Sequence, residues 1–311
     1  MSKHNTSQLL PKVAICLAAF NGKRWLAEQL DSILVQEGIA VTIFISVDAS
    51  SDGTEDWIDA YANDDSRIIV LAHDKHFGDA AKNFFRILHE VDFLGFDYVG
   101  FADQDDIWLP NKLLRAHKII STTNADAYSS NVMAFWPDGK EKLLVKSQSQ
   151  KELDYLFESA GPGCTFLMTP WLVNKVREQL LDANSPAKDV ALHDWLTYAV
   201  CRANGRYWVI DEQPSVRYRQ HESNVVGANV GLSAKWNRLL KIRQHWYRYE
   251  VLKVAEVSQR ISRNENVSEL ISLLKNNNYF TRFKILKFVS QARRNAFDRA
   301  VLACAILFGL F

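Results

Sequence analysis

Several common catalytic and metal-binding patterns are missing from this chain of 311 residues. It has no GxxxxGKS/T loop and no GxGxxG, which excludes the two commonest phosphate-binding loops. It has no HExxH and no CxxC pair, which excludes the usual zinc patterns. The four cysteines lie far apart and three are in apolar segments, so we expect small reduced core residues of a cytoplasmic protein.

Long apolar runs are also missing. Residues 1–8 are polar and do not resemble a signal peptide. No segment reaches the roughly 20 apolar residues that a membrane-spanning helix needs. Residues 300–311 are apolar, and this length suits a bilayer interface but is too short to cross.

Charge is balanced overall but unevenly distributed. The formal net charge is +1, yet residues 235–311 hold 15 Lys/Arg against 5 Asp/Glu. The preceding residues are correspondingly acidic. A basic C-terminal region predicts an anionic partner, either a membrane surface or nucleic acid.

The hydrophobic pattern alternates between strands and helices, which predicts an α/β fold with a mostly parallel sheet. The predicted strands are residues 12–19, 41–47, 67–72, 98–102, 127–136, 164–168, 206–210 and 215–218. The predicted helices between them are residues 23–35, 54–62, 80–91, 170–181 and 191–201, with one more beginning near residue 110. Residues 220–232 resemble a flexible connection, and the chain beyond them has a helical pattern.

An acidic turn follows the predicted strand at 98–102. Asp103, Asp105 and Asp106 stand within four positions, at the sheet edge where open α/β proteins bind ligands. Such carboxylates repel one another unless a cation lies between them, and a divalent ion with a phosphate-bearing substrate is the natural candidate. The alternative is an acidic cap for the helix that begins near residue 110.

Six short motifs in a fixed order resemble the family 2 glycosyltransferases with a GT-A fold, in the rhamnosyltransferase-like subgroup. They are residues 17–22 (LAAFNG), 46–54 (SVDASSDGT), 101–110 (FADQDDIWLP), 163–166 (GCTF), 193–196 (HDWL) and 218–224 (YRQHESN). The resemblance implies a GT-A catalytic domain over residues 1–225. Residues 226–311 would form a helical, basic, amphipathic region that associates with a membrane.

The resemblance also implies a metal site and a catalytic base. Asp105 of the DxD element and His221 would hold Mg²⁺ or Mn²⁺, and Asp103 would face the nucleotide ribose or the waters of the metal. Asp194 would take the proton of the acceptor hydroxyl in an inverting displacement. Asp194 is also suited to cap its helix, and many relatives have Glu-Asp where this chain has His193-Asp194.

Further residues are expected around the substrates. The nucleotide-sugar pocket would include Phe20, Asn21, Asp48, Lys82 and Arg219, although Lys82 also fits a solvated helix face. Trp108 and Trp195 are weaker candidates for the acceptor site, since a Trp is more often a large core residue.

The implied donor is a dTDP- or UDP-linked hexose or deoxyhexose: rhamnose, glucose or galactose. The implied acceptor is a polyprenyl-diphosphate-linked saccharide of O-antigen or capsule synthesis, at the inner face of the bacterial plasma membrane. No nucleic acid partner is expected.

Apolar residues three or four apart between 282 and 311, interspersed with Lys and Arg, suggest an interfacial helix. The same pattern fits a helical subdomain that packs on the catalytic body. Two other functions stay open, a sugar-phosphate nucleotidyltransferase and an inactive membrane-binding adaptor. Against the first, residues 17–22 contain one glycine and no Arg/Lys-bearing loop.

Overall fold

A computed structural model describes residues 9–73, 75–221, 245–276 and 278–311. Most of the predicted flexible connection, and the predicted domain boundary at residue 225, lie outside these ranges.

The first half of the chain forms a parallel sheet flanked by helices, as predicted. Its strands are β1 (Lys12–Ala19), β2 (Ala40–Val47), β3 (Ile68–Val70) and β4 (Tyr98–Ala102). The helices between them are α1 (Lys23–Leu34), α2 (Thr54–Asn63) and α3 (Ala80–Glu90). The strands run parallel in the order β3-β2-β1-β4, so their carboxyl ends share one edge. β1 and β4 are buried on both faces, which explains their nearly continuous apolar sequences.

The second half extends the same sheet with shorter and mixed strands. They are β5 (Ile107–Trp108), β6 (Ala127–Phe135), β7 (Glu141–Leu144), β8 (Leu167–Met168) and β9 (Trp208–Arg219), and the helices are α4 (Lys112–Thr123), α5 (Pro170–Leu181) and α6 (His193–Ala203). The order continues from β4 through β8, β6 and β9 to β5, with β7 paired to β6. The two strands predicted at 206–210 and 215–218 are one strand, β9, with an irregular register opposite β6.

The C-terminal region is helical where it is described. Its helices are α7 (Trp246–Ile261), α8 (Glu265–Lys275), α9 (Tyr279–Ile285), α10 (Val289–Ala292) and α11 (Ala296–Leu307). The helix suggested for residues 282–311 is not continuous, because Arg293 is extended and interrupts it. Among the described helices, none is both long and apolar enough to cross a membrane.

The C-terminal helices share a core with the catalytic half. One apolar cluster joins residues of β4, α3, α5 and α6 to Val251, Leu270, Phe288 and Ile306. A second cluster covers the other face of the sheet, with α1 and α4. The alternative of a helical subdomain packed on the body therefore describes the structure.

A buried ion cluster fastens this subdomain to the body. The Asp154 carboxylate accepts hydrogen bonds from Arg202 and Arg294, each at 3.0 Å, and from the Tyr198 hydroxyl at 3.0 Å. Arg294 also donates to the Ser159 carbonyl at 2.6 Å. Because Asp154 and Arg294 are both buried, each depends on the other for its charge.

Removing one partner of this cluster should be costly. For Arg294→Ala we expect a loss of about 3–5 kcal/mol in the free energy of unfolding, since the buried carboxylate loses one of its two cationic partners and keeps only Arg202. Arg260→Ala breaks an exposed pair with Asp182 and is the control, with an expected loss below about 1 kcal/mol. Urea unfolding of both variants measures the difference, and equal small losses would contradict the role given to Arg294.

Candidate functional site

The turns that follow β1, β2 and β4 interlock at the carboxyl edge of the sheet. Phe20 N–H donates to Gln104 Oε1 at 2.8 Å, and Gln104 Nε2 donates back to the Phe20 carbonyl at 3.0 Å. Asn21 Oδ1 accepts from Ser51 N–H at 2.7 Å. A Cβ at position 22 would collide with the Gln104 carboxamide, so this turn requires Gly22. The structure thus brings the predicted Phe20 and Asn21 beside the acidic turn.

Asp48 has a local role in the structure. Its carboxylate accepts hydrogen bonds from the N–H groups of Phe77 at 2.8 Å and Gly78 at 2.7 Å, and pairs with His76 at 2.9 Å. Although burial acts to raise the pKa of Asp48, these donors hold it below its ordinary value. The carboxylate predicted to face the nucleotide holds residues 76–78 at the edge of the site.

Helix α3 carries Lys82 and Asn83, which resemble the family's segment that closes over the nucleotide. Lys82 is exposed on this helix, as the solvated-face alternative expected. The next residue, Asn83, is buried and donates to the carbonyls of Ala19 at 3.2 Å and Ser46 at 3.1 Å. Asn83 therefore ties together the ends of β1 and β2.

The acidic turn is clamped to the end of β9. Arg219 N–H donates to Asp106 Oδ1 at 3.0 Å, and Arg219 Nε donates to the Asp105 carbonyl at 2.7 Å. His221 Nε2 lies 2.6 Å from Asp105 Oδ2. The two ligands expected for the metal, which are far apart in sequence, are thus in contact.

Helix α1 supports this clamp from the other side. The Trp25 ring stacks on His221 at 5.4 Å between centroids, and the Arg219 guanidinium lies 4.6 Å from the Trp25 ring. Arg219 also forms an ion pair with Glu28. Predicted to bind the nucleotide-sugar, Arg219 here supports the turn that carries the acids. Trp25 and Glu28 had no motif to reveal them.

Burial dominates the electrostatics of the turn. Burial, followed by the charges of Asp105 and Asp194, raises the pKa of Asp103 to about 7. Burial also raises the pKa of Asp106 well above its usual value. A Cβ at Gly163 would lie 3.4 Å from Asp194 Cβ, and the thiol of the neighbouring Cys164 lies within 4.8 Å of the Asp103 carboxylate, so the predicted base and the acidic turn belong to one site.

Lys112 is a buried cation behind this turn, and sequence reasoning missed it. Its Nζ lies 3.5 Å from the centroid of the Trp108 ring, and burial lowers the pKa of this lysine to about 7. Trp108 is itself buried in β5. Its ring is not accessible to an acceptor sugar, so the prediction that Trp108 lies in the acceptor site is wrong.

Two groups of side chains at the turn could hold a divalent metal, and Asp105 with His221 suits it better than the group around Cys164. The acceptor atoms of Asp103, Asp106 and Cys164 lie within 4.8 Å of one another. However, burial raises the pKa of the Cys164 thiol strongly, and a protonated thiol does not ligate hard cations. Asp105 and His221 offer the oxygen and nitrogen ligands that Mg²⁺ or Mn²⁺ accept, with further positions for phosphate oxygens and water.

Asp194 lies at the start of α6, across from the acidic turn. Trp195 N–H donates to Asp194 Oδ1 at 2.6 Å. Burial raises the pKa of Asp194 to about 6, while this N–H, the Ser159 hydroxyl and the Lys146 ammonium oppose the shift. Ser159 and Lys146 were not predicted. A carboxylate with this pKa is suited to accept a proton near neutral pH.

Trp195 and His193 flank the base but are packed. Trp195 is buried and its Nε1 donates to the Tyr155 carbonyl at 2.9 Å. Its ring is therefore not accessible to an acceptor sugar either, and this prediction is also wrong. His193 stacks on Phe84 at 3.8 Å between centroids. Burial lowers the pKa of His193 to about 3, so this histidine is neutral. In place of the acid that many relatives have here, it provides an uncharged packing surface.

Comparison with known proteins shows the family of this chain. The model of the family described as Glycosyl transferase family 2 matches residues 14–169. The chain belongs to this family. It is 42% identical over 240 residues to dTDP-rhamnosyl transferase RfbG from Shigella flexneri, which covers 77% of this chain and 83% of that protein. It is also 31% identical over 104 residues to the putative teichuronic acid biosynthesis glycosyltransferase TuaG from Bacillus subtilis, over 33% of this chain and 39% of that protein.

Solved structures confirm the predicted GT-A fold of this family 2 member. S. aureus TarS 1-349 superposes with a TM-score of 0.57 at 13% identity, covering 96% of this chain and 80% of that one. The mannosyltransferase PcManGT from Pyrobaculum calidifontis, in complex with GDP-Man and Mn²⁺, has a TM-score of 0.54 at 15% identity. That superposition covers 98% of this chain and 82% of that one. Family and fold together confirm the predicted glycosyltransferase.

The metal site can be tested by direct binding. We expect Asp105→Ala and His221→Ala each to weaken Mn²⁺ binding at least about tenfold, because each removes a ligand. Asp106→Asn is the matched control, since its amide oxygen can still accept from Arg219 N–H. Electron paramagnetic resonance of free Mn²⁺ measures the affinity. Unchanged binding by Asp105→Ala, or a loss confined to Asp106→Asn, would contradict this site.

Proposed function

We propose that this glycosyltransferase moves rhamnose from dTDP-rhamnose to a hydroxyl of a lipid-linked saccharide, with inversion at the anomeric carbon. The donor is taken from the relative that is 42% identical. The observation that carries the proposal is that the base and the acidic turn meet at residues 163 and 164: Gly163 lies against Asp194, and the Cys164 thiol lies within 4.8 Å of the Asp103 carboxylate. UDP-glucose and UDP-galactose are the competing donors.

Asp194 is the proposed general base. Its Oδ1 is fixed by Trp195 N–H, which orients the carboxylate at the start of α6. The base takes the proton of the acceptor hydroxyl as this oxygen attacks the anomeric carbon and the bond to the diphosphate breaks. A single base and a single displacement give inversion.

The leaving group is stabilised on the opposite side of the sugar. Asp105 and His221 would hold Mg²⁺ or Mn²⁺, and this ion would neutralise the charge that develops on the departing nucleoside diphosphate. Asp103 would face the ribose or the waters of the metal. Phe20 and Asn21 would line the nucleotide pocket, and the Asp48 carboxylate supports it by holding residues 76–78.

The acceptor and the location follow from the same proposal. We infer a polyprenyl-diphosphate-linked saccharide of a bacterial surface polysaccharide, handled at the inner face of the plasma membrane. The basic C-terminal region supports this, since it carries 15 Lys/Arg against 5 Asp/Glu over residues 235–311. The intact set of Asp105, Asp194 and His221 argues against an inactive adaptor.

Donor choice and the base can be tested in one assay. Purified protein, Mn²⁺ and a lipid-linked acceptor are incubated with dTDP-rhamnose, UDP-glucose or UDP-galactose, and the glycosylated product is quantified by mass spectrometry. We expect product from dTDP-rhamnose and a loss of about 10²–10⁴-fold in Asp194→Asn, because the amide cannot take a proton. Asp189→Asn, an exposed acid five residues earlier, should retain activity. Full activity in Asp194→Asn would contradict the mechanism.

The base also predicts a pH dependence. Asp194 must be ionised to accept a proton, and burial raises its pKa to about 6. We therefore expect kcat/KM for the acceptor to fall as the pH drops below about 6, tenfold for each further pH unit. Rates between pH 5 and 8 at saturating donor test this expectation. A rate that is flat from pH 8 down to pH 5 would exclude Asp194 as the titrating base.

A further inference from the structure

The C-terminal subdomain presents large apolar side chains to solvent. Phe280, Phe297 and Phe308 are 77%, 74% and 78% exposed. Phe283 and Val301 are exposed as well. We call these five residues the α9–α11 face. Exposed aromatic side chains grouped in this way mark an interaction surface.

Helix α11 has apolar side chains on its solvent side as well as on its buried side. Phe297, Val301 and Phe308 are spaced by four and seven residues, so they lie along one side of the helix and point to solvent. The opposite side packs into the protein through Leu302 and Ile306. Both sides of this helix are therefore apolar, although the fold uses only one.

Helix α9 lies beside the end of α11 and extends the surface. The rings of Tyr279 and Phe283 are in contact at 4.9 Å between centroids. The Arg282 guanidinium lies directly against Gly309, just beyond the end of α11, which joins the two helices. The exposed aromatic residues of α9 thus continue those of α11.

The surroundings of the face are cationic. Residues 278–311 contain six Lys/Arg and a single acid, Asp298. In the described part of the chain, no ion pair joins Lys284 or Arg299 to a carboxylate, and Arg299 bonds only to the carbonyls of residues 293 and 294 at 2.9 Å. Arg293 and Arg294 point inward to residues 154–159. The charge complementary to this face is therefore negative.

We propose that the α9–α11 face docks on an anionic phospholipid bilayer, with its aromatic side chains in the headgroup region and Lys284 and Arg299 on lipid phosphates. An apolar face flanked by cations favours this occupant over a second copy of the chain, whose matching face would bring like charges together. The proposal deepens the proposed function, on which it rests for the lipid-linked acceptor.

The subdomain that carries this face also contacts the segment beside Asp194. Arg293 donates to the Phe157 carbonyl at 2.9 Å and Arg294 to the Ser159 carbonyl at 2.6 Å. Ser159 in turn adjoins Asp194. A bilayer bound at the α9–α11 face is thus connected through a few packed residues to the base that would receive a lipid-linked acceptor.

Vesicle co-sedimentation of the full-length protein tests the docking surface. The vesicles are phosphatidylglycerol–phosphatidylethanolamine mixtures, with phosphatidylcholine as the neutral comparison. We expect the double variant Phe297→Ser/Phe308→Ser to weaken binding to anionic vesicles at least about tenfold, and Lys284→Gln about threefold to fivefold. The control double variant is Leu94→Ser/Tyr207→Ser, which removes exposed apolar residues elsewhere and should bind as wild type does.

Vesicle binding and sugar transfer are measured separately, so a failure of the docking surface can be told from a failure of the proposed function. The proposal would be overturned if all variants bound equally or if anionic vesicles were not preferred. It would also be overturned if the protein bound no vesicles and light scattering showed a dimer that the Phe variant converts to a monomer. Transfer to a water-soluble acceptor should be unchanged in the Phe variant. If the wild-type protein bound vesicles but transferred no sugar to the acceptor, the proposed function would be refuted and the docking surface would not.

Discussion

The site depends on the clamp between the acidic turn and the end of β9. Asp103, Asp105 and Asp106 stand within four positions at a buried strand end. Desolvation and the neighbouring like charges raise the pKa of Asp103 and of Asp106 there. Arg219 donates to the Asp106 carboxylate and to the Asp105 carbonyl, and His221 contacts the Asp105 carboxylate. These bonds fix Asp105 against His221. The turn after β1 bonds to Gln104 of the same acidic turn, and the turn after β2 bonds in turn to Asn21.

A second constraint joins the base to the C-terminal helices. The segment that begins at Asp154 is held by α6 through Trp195 and Arg202, and by the C-terminal region through Arg293 and Arg294. The C-terminal helices are therefore part of the catalytic body as well as a candidate membrane surface. Their deletion would expose core residues and could not isolate a membrane role, whereas substitution of exposed aromatic residues can.

The sequence predicted the strands of the parallel half, the acidic turn and the place of Asp194 at a helix start, because continuous apolar strands and acids at the ends of elements are local patterns. It missed β5 and β7, which are too short for a periodic signal. It placed Trp108 and Trp195 beside a sugar, since burial of a Trp next to an acid depends on tertiary packing. Lys112 and Ser159 belong to no motif and act only through long-range contacts.

The central claim is that the metal-bound diphosphate and Asp194 act on opposite sides of the anomeric carbon. The anomeric configuration of the product tests it most directly. Proton NMR of the transferred sugar, through its anomeric shift and the one-bond carbon–proton coupling, should show the configuration opposite to that of the donor. Retention of the donor's configuration would require a covalent intermediate or front-side attack, and would contradict the role given to Asp194.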